Sequence, residues 1–228
     1  MTRVLALLGK ELADLARNRT VFFPAILTGV TAMIIPFFVA IVVPYFAGEQ
    51  LSDSSDFQVA IEMYQQQPGM RSLDPEAAIQ AWIFQQFLLL LVLTPIAGAM
   101  SVAAYTVIGE KQARTLEPLL ATPITTFELL AAKVLGSLIP AVGLAIGGFT
   151  VYVLLVWLFA RQGVHTALLN PRSLATVFII GPLASLAALQ LAVCVSSRVN
   201  DVRSAQQIGA LIILPLTGLL VAQLMGRV

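Results

Sequence analysis

Charged side chains gather in one short segment of a chain that carries few of them. Glu110 and Arg114 stand four residues apart, and Arg114 and Glu117 stand three apart. These are the spacings of ion pairs on one face of a helix. Lys111 lies beside the first of them. Such an arrangement favours recognition of a partner surface, because complementary charges set the register of a docked helix.

Three leucines accompany these charges. Leu116, Leu119 and Leu120 form a small apolar patch within residues 109–128, and Pro118 bends or restarts the helix there. Two interpretations fit the patch. Either a partner protein buries the leucines in a groove, or the leucines dip into the inner leaflet of a membrane. The residues alone favour neither interpretation.

The segment has clear boundaries on its C-terminal side. Thr122-Pro123 ends the short helix, because a residue before proline is pushed out of the helical region. Thr125 or Thr126 can cap the following helix, with Glu128 in its first turn. The sequence therefore predicts a short helical island between two longer helices.

The sequence excludes several kinds of chemistry. It contains no Gly-x-x-x-x-Gly-Lys-Ser/Thr phosphate loop, no His-Glu-x-x-His zinc motif and no Gly-x-Ser-x-Gly. The single histidine, His165, and the single cysteine, Cys194, leave no Ser-His hydrolase and no cysteine-based metal site. The net charge of +1 argues against nucleic-acid binding, which needs a basic patch. We therefore expect a chain that is not an enzyme and binds no cofactor of its own.

Long apolar stretches surround the charged segment. Hydrophobic residues make up 58% of the 228 residues and charged residues 11%, against about 25% charged in an ordinary soluble domain. A membrane-spanning helix needs about 20 apolar residues. The sequence therefore predicts an all-α integral membrane protein with five transmembrane helices. The five stretches are residues 20–45, 82–108, 129–159, 173–195 and 204–225.

Lysine and arginine in the loops predict the orientation of these helices. With the N-terminus inside, nine basic residues lie on the cytoplasmic side and four on the outer side. This bias favours a cytoplasmic N-terminus in a multi-pass protein, which we expect in the plasma membrane. The nine are Arg3, Lys10, Arg17, Arg19, Lys111, Arg114, Lys133, Arg198 and Arg203, and the four are Arg71, Arg161, Arg172 and Arg227.

Residues 1–19 predict an amphipathic helix ahead of the first span. Its apolar residues Val4, Leu8, Leu12 and Leu15 fall on one face, and basic residues recur every seven positions on another. A helix with one apolar stripe and basic heads lies flat on the inner leaflet. A helix packed on other protein gives the same pattern. The sequence favours the leaflet, because the first span begins directly afterwards.

Residues 46–81 form the one sizeable outer loop in this topology. Asp74-Pro75-Glu76 near its end is typical of a helix start, with a cap, a proline at the first helical position and an acid in the first turn. The second long helix is therefore predicted to begin outside the membrane and to continue through it. A second cytoplasmic loop covers residues 196–204.

The charged segment resembles the signature region of a known family. Residues 109–125 read Gly-Glu-Lys-Gln-Ala-Arg-Thr-Leu-Glu-Pro-Leu-Leu-Ala-Thr-Pro-Ile-Thr, followed by Glu128-Leu129-Leu130 and Lys133. This pattern is similar to that of membrane permease subunits of type-two ABC exporters. Residues 196–207 are similar to the second inner loop of the same family, and the leading helix with Lys10-Glu11 also fits. The resemblance covers residues 1–228 as a single transmembrane domain.

The resemblance implies a mechanism. Two permease subunits form the pore as a homodimer or heterodimer, and two ATPase subunits, which hold ATP and Mg²⁺, bind from the cytoplasm. Residues 109–128 act as the coupling loop, so that closure of the ATPases moves the second and third spans. The implied ATPase-coupling residues are Glu110, Lys111, Arg114, Thr115, Leu116, Glu117, Pro118, Leu119, Leu120, Thr122 and Pro123; those of the second loop are Arg198, Asp201 and Arg203.

The predicted number of spans departs from the family. Type-two permeases usually have six spans, whereas this sequence predicts five, without the last span of the family. Two other functions remain open. The chain could be a membrane module of an ABC-like complex that does not transport, which a flux assay separates. It could also be a passive channel or assembly factor without an ATPase, for which charge changes at Glu110, Arg114 or Glu117 would uncouple nothing.

Overall fold

The described part of the protein is helical. A computed structural model describes residues 2–48, 50–53, 57, 73–112, 114 and 125–198, with isolated positions 207, 211, 215 and 218. Within these ranges the chain forms helices and turns, and no β-strand. The α-helices are α1 (Thr2–Arg17), α2 (Phe23–Phe37), α3 (Val43–Ala47), α4 (Pro75–Gln86), α5 (Leu88–Gln112), α6 (Thr126–Phe159), α7 (Val164–Leu168), α8 (Pro171–Ala175) and α9 (Gly181–Arg198).

Four helical stretches are long and apolar enough to cross a membrane. They are Phe23–Ala47, Pro75–Gln112, Phe127–Phe159 and Pro171–Ser196. Each overlaps a stretch predicted from the sequence, and the all-α membrane class is confirmed. The second begins at Pro75, where the Asp74-Pro75-Glu76 pattern predicted a helix start. The fifth predicted span, residues 204–225, lies outside the described ranges apart from isolated positions.

The second span is the centre of the described bundle. In the 18-residue apolar stretch of this span, 83% of the residues are buried inside the protein. The corresponding shares are 22%, 22% and 33% for the first, third and fourth spans. Its α5 contacts α2, α6 and α9. Small residues make this close approach possible: a Cβ added to Gly98 of α5 would lie 3.3 Å from the Cβ of Ala25 of α2. Within the described bundle, α5 therefore packs directly against three helices.

Three of the four spans are interrupted. π-helical turns occupy Phe38–Val42 in the first span and Thr176–Ile180 in the fourth. A turn at Phe87 separates α4 from α5 in the second. Pro95 and Pro140 lie inside the helices α5 and α6, which continue through them, whereas Pro36 and Pro182 each lie two residues from a π-helical turn.

Side-chain hydrogen bonds to the backbone hold the end of the bundle where α4 begins. The buried carboxylate of Glu76 accepts hydrogen bonds from the backbone N–H groups of Leu51 (3.4 Å) and Ser52 (3.1 Å). Asp74 is the N-cap residue as predicted, but its side chain makes no capping bond. It lies instead 3.5 Å from the guanidinium of Arg161, in an exposed ion pair.

Helix α1 packs on protein. Its buried face consists of Leu7, Glu11 and Leu15, and this face contacts α6. Of the predicted apolar stripe, Leu15 is buried, while Val4, Leu8 and Leu12 are half-buried. This face of α1 therefore packs on protein, with Glu11 rather than a leucine in the middle of the contact, and the position of the helix on the inner leaflet stays a prediction.

Candidate functional site

Four charged side chains meet where α1, the end of α5 and the start of α6 converge. They are Lys10, Glu11, Glu110 and Lys133, and we call them the charged junction. Glu110 stands in the last turn of α5, two residues after the buried Ile108, and its side chain is 10% exposed. The helix ends two residues later at Gln112, so this carboxylate marks the point at which the second span gives way to the charged segment.

Lys133 is the buried cation of the junction. It lies in the second turn of α6, and its side chain is 8% exposed. Its ammonium nitrogen is 2.6 Å from Oε2 of Glu110 and 3.3 Å from Oε1 of Glu11. One side chain therefore joins both ends of the charged segment to the N-terminal helix.

Glu11 enters the junction through a close approach of two helices. A Cβ added to Gly136 of α6 would lie 3.0 Å from the Cβ of Glu11, which is tighter than side chains normally allow. Glycine at this position lets α1 lie against α6 and places the carboxylate of Glu11, which is 6% exposed, beside Lys133.

Lys10 closes the junction from the solvent side. Its ammonium nitrogen is 3.0 Å from Oε1 of Glu110, and it lies 3.9 Å from Asp14 along α1. Partial burial acts to lower the pKa of Lys10. The hydrogen bond to Glu110 and the negative charges of Glu110, Glu11 and Asp14 outweigh that effect, so the pKa of Lys10 is raised above its ordinary value. Lys10 is therefore fully charged at neutral pH.

The junction is balanced in charge and costly to open. Its two ammonium groups face two buried carboxylates, and the exposed Asp14, 3.9 Å from Lys10, lies just outside the junction. Removing one partner of a buried ion pair leaves an uncompensated charge, which costs about 3–5 kcal/mol. The junction therefore fixes α1, α5 and α6 relative to one another.

A capping box fixes the far boundary of the charged segment. Thr125 is the N-cap residue of α6, and its hydroxyl oxygen accepts from the backbone N–H of Glu128 at 3.2 Å. The Glu128 carboxylate accepts in return from the Thr125 backbone N–H at 2.9 Å. Of the two capping residues that the sequence allowed, the structure uses Thr125. These two reciprocal hydrogen bonds fix the direction in which the chain enters α6.

Three of the predicted coupling residues have described side chains. Glu110 is buried in the junction, while Lys111 and Arg114 are exposed. The predicted pairing of Glu110 with Arg114 along one helix is wrong. The helix ends at Gln112, Arg114 has a positive φ of 51°, and Glu110 pairs with Lys10 and Lys133 instead.

The remaining predicted site residues stay predictions. Arg198 is the last residue of α9, and only its backbone is described. The others lie outside the described residues. They are Thr115, Leu116, Glu117, Pro118, Leu119, Leu120, Thr122 and Pro123 of the first loop, and Asp201 and Arg203 of the second.

Sequence reasoning missed the junction as a group. Lys10, Glu11 and Lys133 were noticed singly, but nothing predicted that they meet Glu110. A signal does exist in the sequence: Glu11 lies four residues from both Leu7 and Leu15, on a face otherwise apolar, and Lys133 stands alone in an apolar run. Single charges on apolar faces indicate pairing elsewhere in the fold.

The charged junction is built from ion pairs. Its groups are paired cations and carboxylates with opposite charges in contact. Within the described ranges, no set of three His, Cys, Asp or Glu side chains is placed to hold a metal ion.

Comparison with known proteins gives one match. The family model described as ABC-2 family transporter protein matches residues 5–226, nearly the whole chain. Searches of curated proteins and of solved structures found no match.

Proposed function

We propose that this chain, which belongs to the ABC-2 family of transporter proteins and is thus a membrane permease component of an ABC transporter, works as an ATP-driven exporter. In this proposal it forms the translocation path as a dimer. Separate cytoplasmic ATPase subunits bind residues 109–128 and supply the energy. The resemblance of that segment to the coupling loop of type-two exporters supports both the direction of transport and the docking site.

The charged junction is the observation that carries this proposal. The segment between Gln112 and Thr125 leaves one span and enters the next, and both boundaries are held. Glu110 and Lys133 pair across them at 2.6 Å, and α1 is tied to the same point. A force applied to the segment therefore moves the ends of α5 and α6 together instead of being absorbed by local bending.

The position of α5 extends this argument. The second span is the most buried of the four, and α5 contacts α2, α6 and α9. A displacement of the junction would therefore move α5, which packs against three other helices. This is the geometry that an ATPase needs if closure on the cytoplasmic side is to change the shape of the path across the membrane.

The sequence supports the proposed energy source, cofactors and location. The chain has no phosphate-binding loop, so in this proposal ATP and Mg²⁺ are held by the partner ATPase. The bias of nine basic residues against four supports an N-terminus, and with it the junction, on the cytoplasmic side of the plasma membrane.

Co-purification tests the proposal. The tagged chain is solubilised gently from membranes of its own cells, and the wild type is compared with Glu117→Arg in the coupling segment. Glu49→Arg in the predicted outer loop is the matched control, because it makes the same charge reversal away from the docking site. We expect an ABC ATPase in stoichiometric amount, with ATP hydrolysis, in the wild type and the control but not in Glu117→Arg.

Each other result has a definite meaning. An ATPase that stays bound in Glu117→Arg would place the docking site elsewhere. No ATPase with the wild type would overturn the proposal.

A further inference from the structure

The side chain of Gln80 forms hydrogen bonds with two other spans at once. Gln80 lies on α4 and is 7% exposed. Its amide nitrogen donates to the carbonyl of Ala40 in the first span at 3.4 Å. Its amide oxygen accepts from the backbone N–H of Arg161, just after the third span, at 3.0 Å. One side chain of the second span therefore joins the ends of the first and the third.

Neither of these backbone groups has a regular α-helical partner. Pro44 has no N–H to donate to the carbonyl of Ala40, four residues earlier. Arg161 follows Ala160, the C-terminal cap of α6, so its N–H lies outside that helix. Neighbouring side chains satisfy such freed groups in membrane proteins. Here one amide satisfies a group in each of two spans.

The same face of α4 packs between the first and third spans deeper in the bundle. Phe84 lies one turn after Gln80, and the centre of its ring is 4.9 Å from that of Phe37 and 6.0 Å from that of Tyr152. The Tyr152 hydroxyl donates to the Phe84 carbonyl at 2.9 Å. At this end of the bundle α4 thus fills the space between the first and third spans.

A break separates α4 from the rest of the second span. α4 ends at Gln86, Phe87 forms a turn, and α5 begins at Leu88. Residues at the ends of helices absorb the backbone changes of hinge motions. The hydrogen bonds of Gln80 and Tyr152, rather than a continuous helix, therefore hold α4 in its place.

We propose that α4 is a gate across the translocation path, with Phe87 as its hinge and Gln80 as its latch. In the predicted topology α4 lies at the outer end, where an exported solute leaves. The path opens outward when Gln80 releases the Ala40 carbonyl and the Arg161 N–H, which lets the first and third spans part. The bond to Ala40 is near the upper limit of hydrogen-bond distance, so its release costs little. The inference rests on the proposed export function and deepens it.

A buried cysteine beside the latch reports opening. Ala77 is 1% exposed and lies one turn before Gln80 on the same face of α4. The double variant Cys194→Ala/Ala77→Cys carries this single cysteine in the full chain, within right-side-out vesicles that contain the partner ATPase. We expect a membrane-impermeant maleimide to label it slowly at rest and several-fold faster when the vesicles are loaded with ATP and Mg²⁺.

Substitutions of Gln80 in that background test the latch. Gln80→Leu removes both hydrogen bonds and should label at the fast rate without ATP. Gln80→Glu still accepts from Arg161 but cannot donate to Ala40, so its labelling at rest should also rise; this smaller change repeats the test if Gln80→Leu does not fold. Gln85→Leu is the matched control. The amide of Gln85 donates to the carbonyl of Ala167 in α7 instead, so this variant should label slowly at rest.

Each other result overturns a stated part of the proposal. Slow labelling of both Gln80 variants at rest would overturn the latch. Fast labelling of Gln85→Leu at rest would also overturn it, because any lost bond would then loosen α4. If the Gln80 variants label fast but ATP does not speed labelling with Gln80 in place, α4 is not a gate that transport opens. Absence of an ABC ATPase from the purified wild type would instead overturn the proposed function, and labelling at rest would still test the latch.

Discussion

The two ends of the bundle are held by different forces. At the α1 end, full charges from three helices pair at 2.6–3.3 Å, at Glu110, Lys133, Lys10 and Glu11. At the opposite end, where α4 begins, single acceptors and donors satisfy backbone groups instead: Glu76 accepts from the turn at residues 51–53, and Tyr152 donates to the carbonyl of Phe84 at 2.9 Å. At one end, ion pairs connect one helix to another. At the other end, side chains form hydrogen bonds with backbone groups near the helix breaks.

The two kinds of contact differ in the cost of breaking them. Separating the paired charges of the α1 end leaves a buried charge without its partner, which costs about 3–5 kcal/mol. Hydrogen bonds to backbone groups near π-helical turns and the Phe87 break can be exchanged one at a time, each at a smaller cost. Substitutions at the two ends measure this contrast. Their effects on the free energy of unfolding should decrease from Lys133 through Glu76 and Tyr152 to Asp74.

The largest effect is expected at Lys133. Lys133→Met removes the buried cation and leaves the carboxylates of Glu110 and Glu11 without it, so the free energy of unfolding should fall by about 3–5 kcal/mol. Thermal unfolding of the purified protein in detergent measures this, with the exposed Arg172→Met as the control. Adding Glu110→Gln should recover part of the loss. A double variant that loses the sum of the two single effects would contradict the pairing.

Glu76 should come second. Glu76→Ala leaves the backbone N–H groups of Leu51 and Ser52 without their charged acceptor, which should cost about 1.5–3 kcal/mol. Glu76→Gln is the matched variant, because an amide oxygen of the same reach still accepts, and its loss should be smaller. If both variants unfold at the temperature of the wild type, the carboxylate does not hold this turn.

Tyr152 should follow. Tyr152→Phe removes a fully buried hydroxyl that donates to the Phe84 carbonyl close to the break at Phe87, and the expected loss is about 1–2 kcal/mol. Tyr45→Phe makes the same chemical change at a side chain that is 81% exposed and should leave the unfolding temperature unchanged. Equal shifts in the two variants would mean that the hydrogen bond contributes nothing.

The smallest effect is expected at the exposed pair of Asp74 and Arg161. Their charged atoms are 3.5 Å apart, and both side chains are more than half exposed. Asp74→Asn should therefore cost less than about 1 kcal/mol, and high salt should abolish even that difference. A loss as large as that of Lys133→Met would remove the distinction between the two ends.

Local patterns in the sequence predicted much of this fold. Apolar length placed three of the four spans within three residues of their observed ends, while the second begins at Pro75, seven residues before the predicted residue 82. The sequence also predicted a cap for α6 at Thr125 or Thr126 ahead of Glu128, because such features depend on neighbours in the sequence. The junction could not be found that way. Lys10 and Glu110 are 100 positions apart, and only the packing of α1 on α6 at Gly136 brings their elements together. The same holds for the break at Phe87, where no proline or glycine marks the interruption.

The two π-helical turns have a consequence for the angular position of the residues beyond them. A π turn accommodates one extra residue, and each residue advances an α-helix by about 100° around its axis. The residues of α3, beyond Phe38–Val42, are therefore rotated by about that angle from where a continuous α-helix would carry them. Deleting Ala40 would restore the regular repeat, keep the span almost unchanged in length, and swing the exposed rings of Tyr45 and Phe46 to another side of the helix.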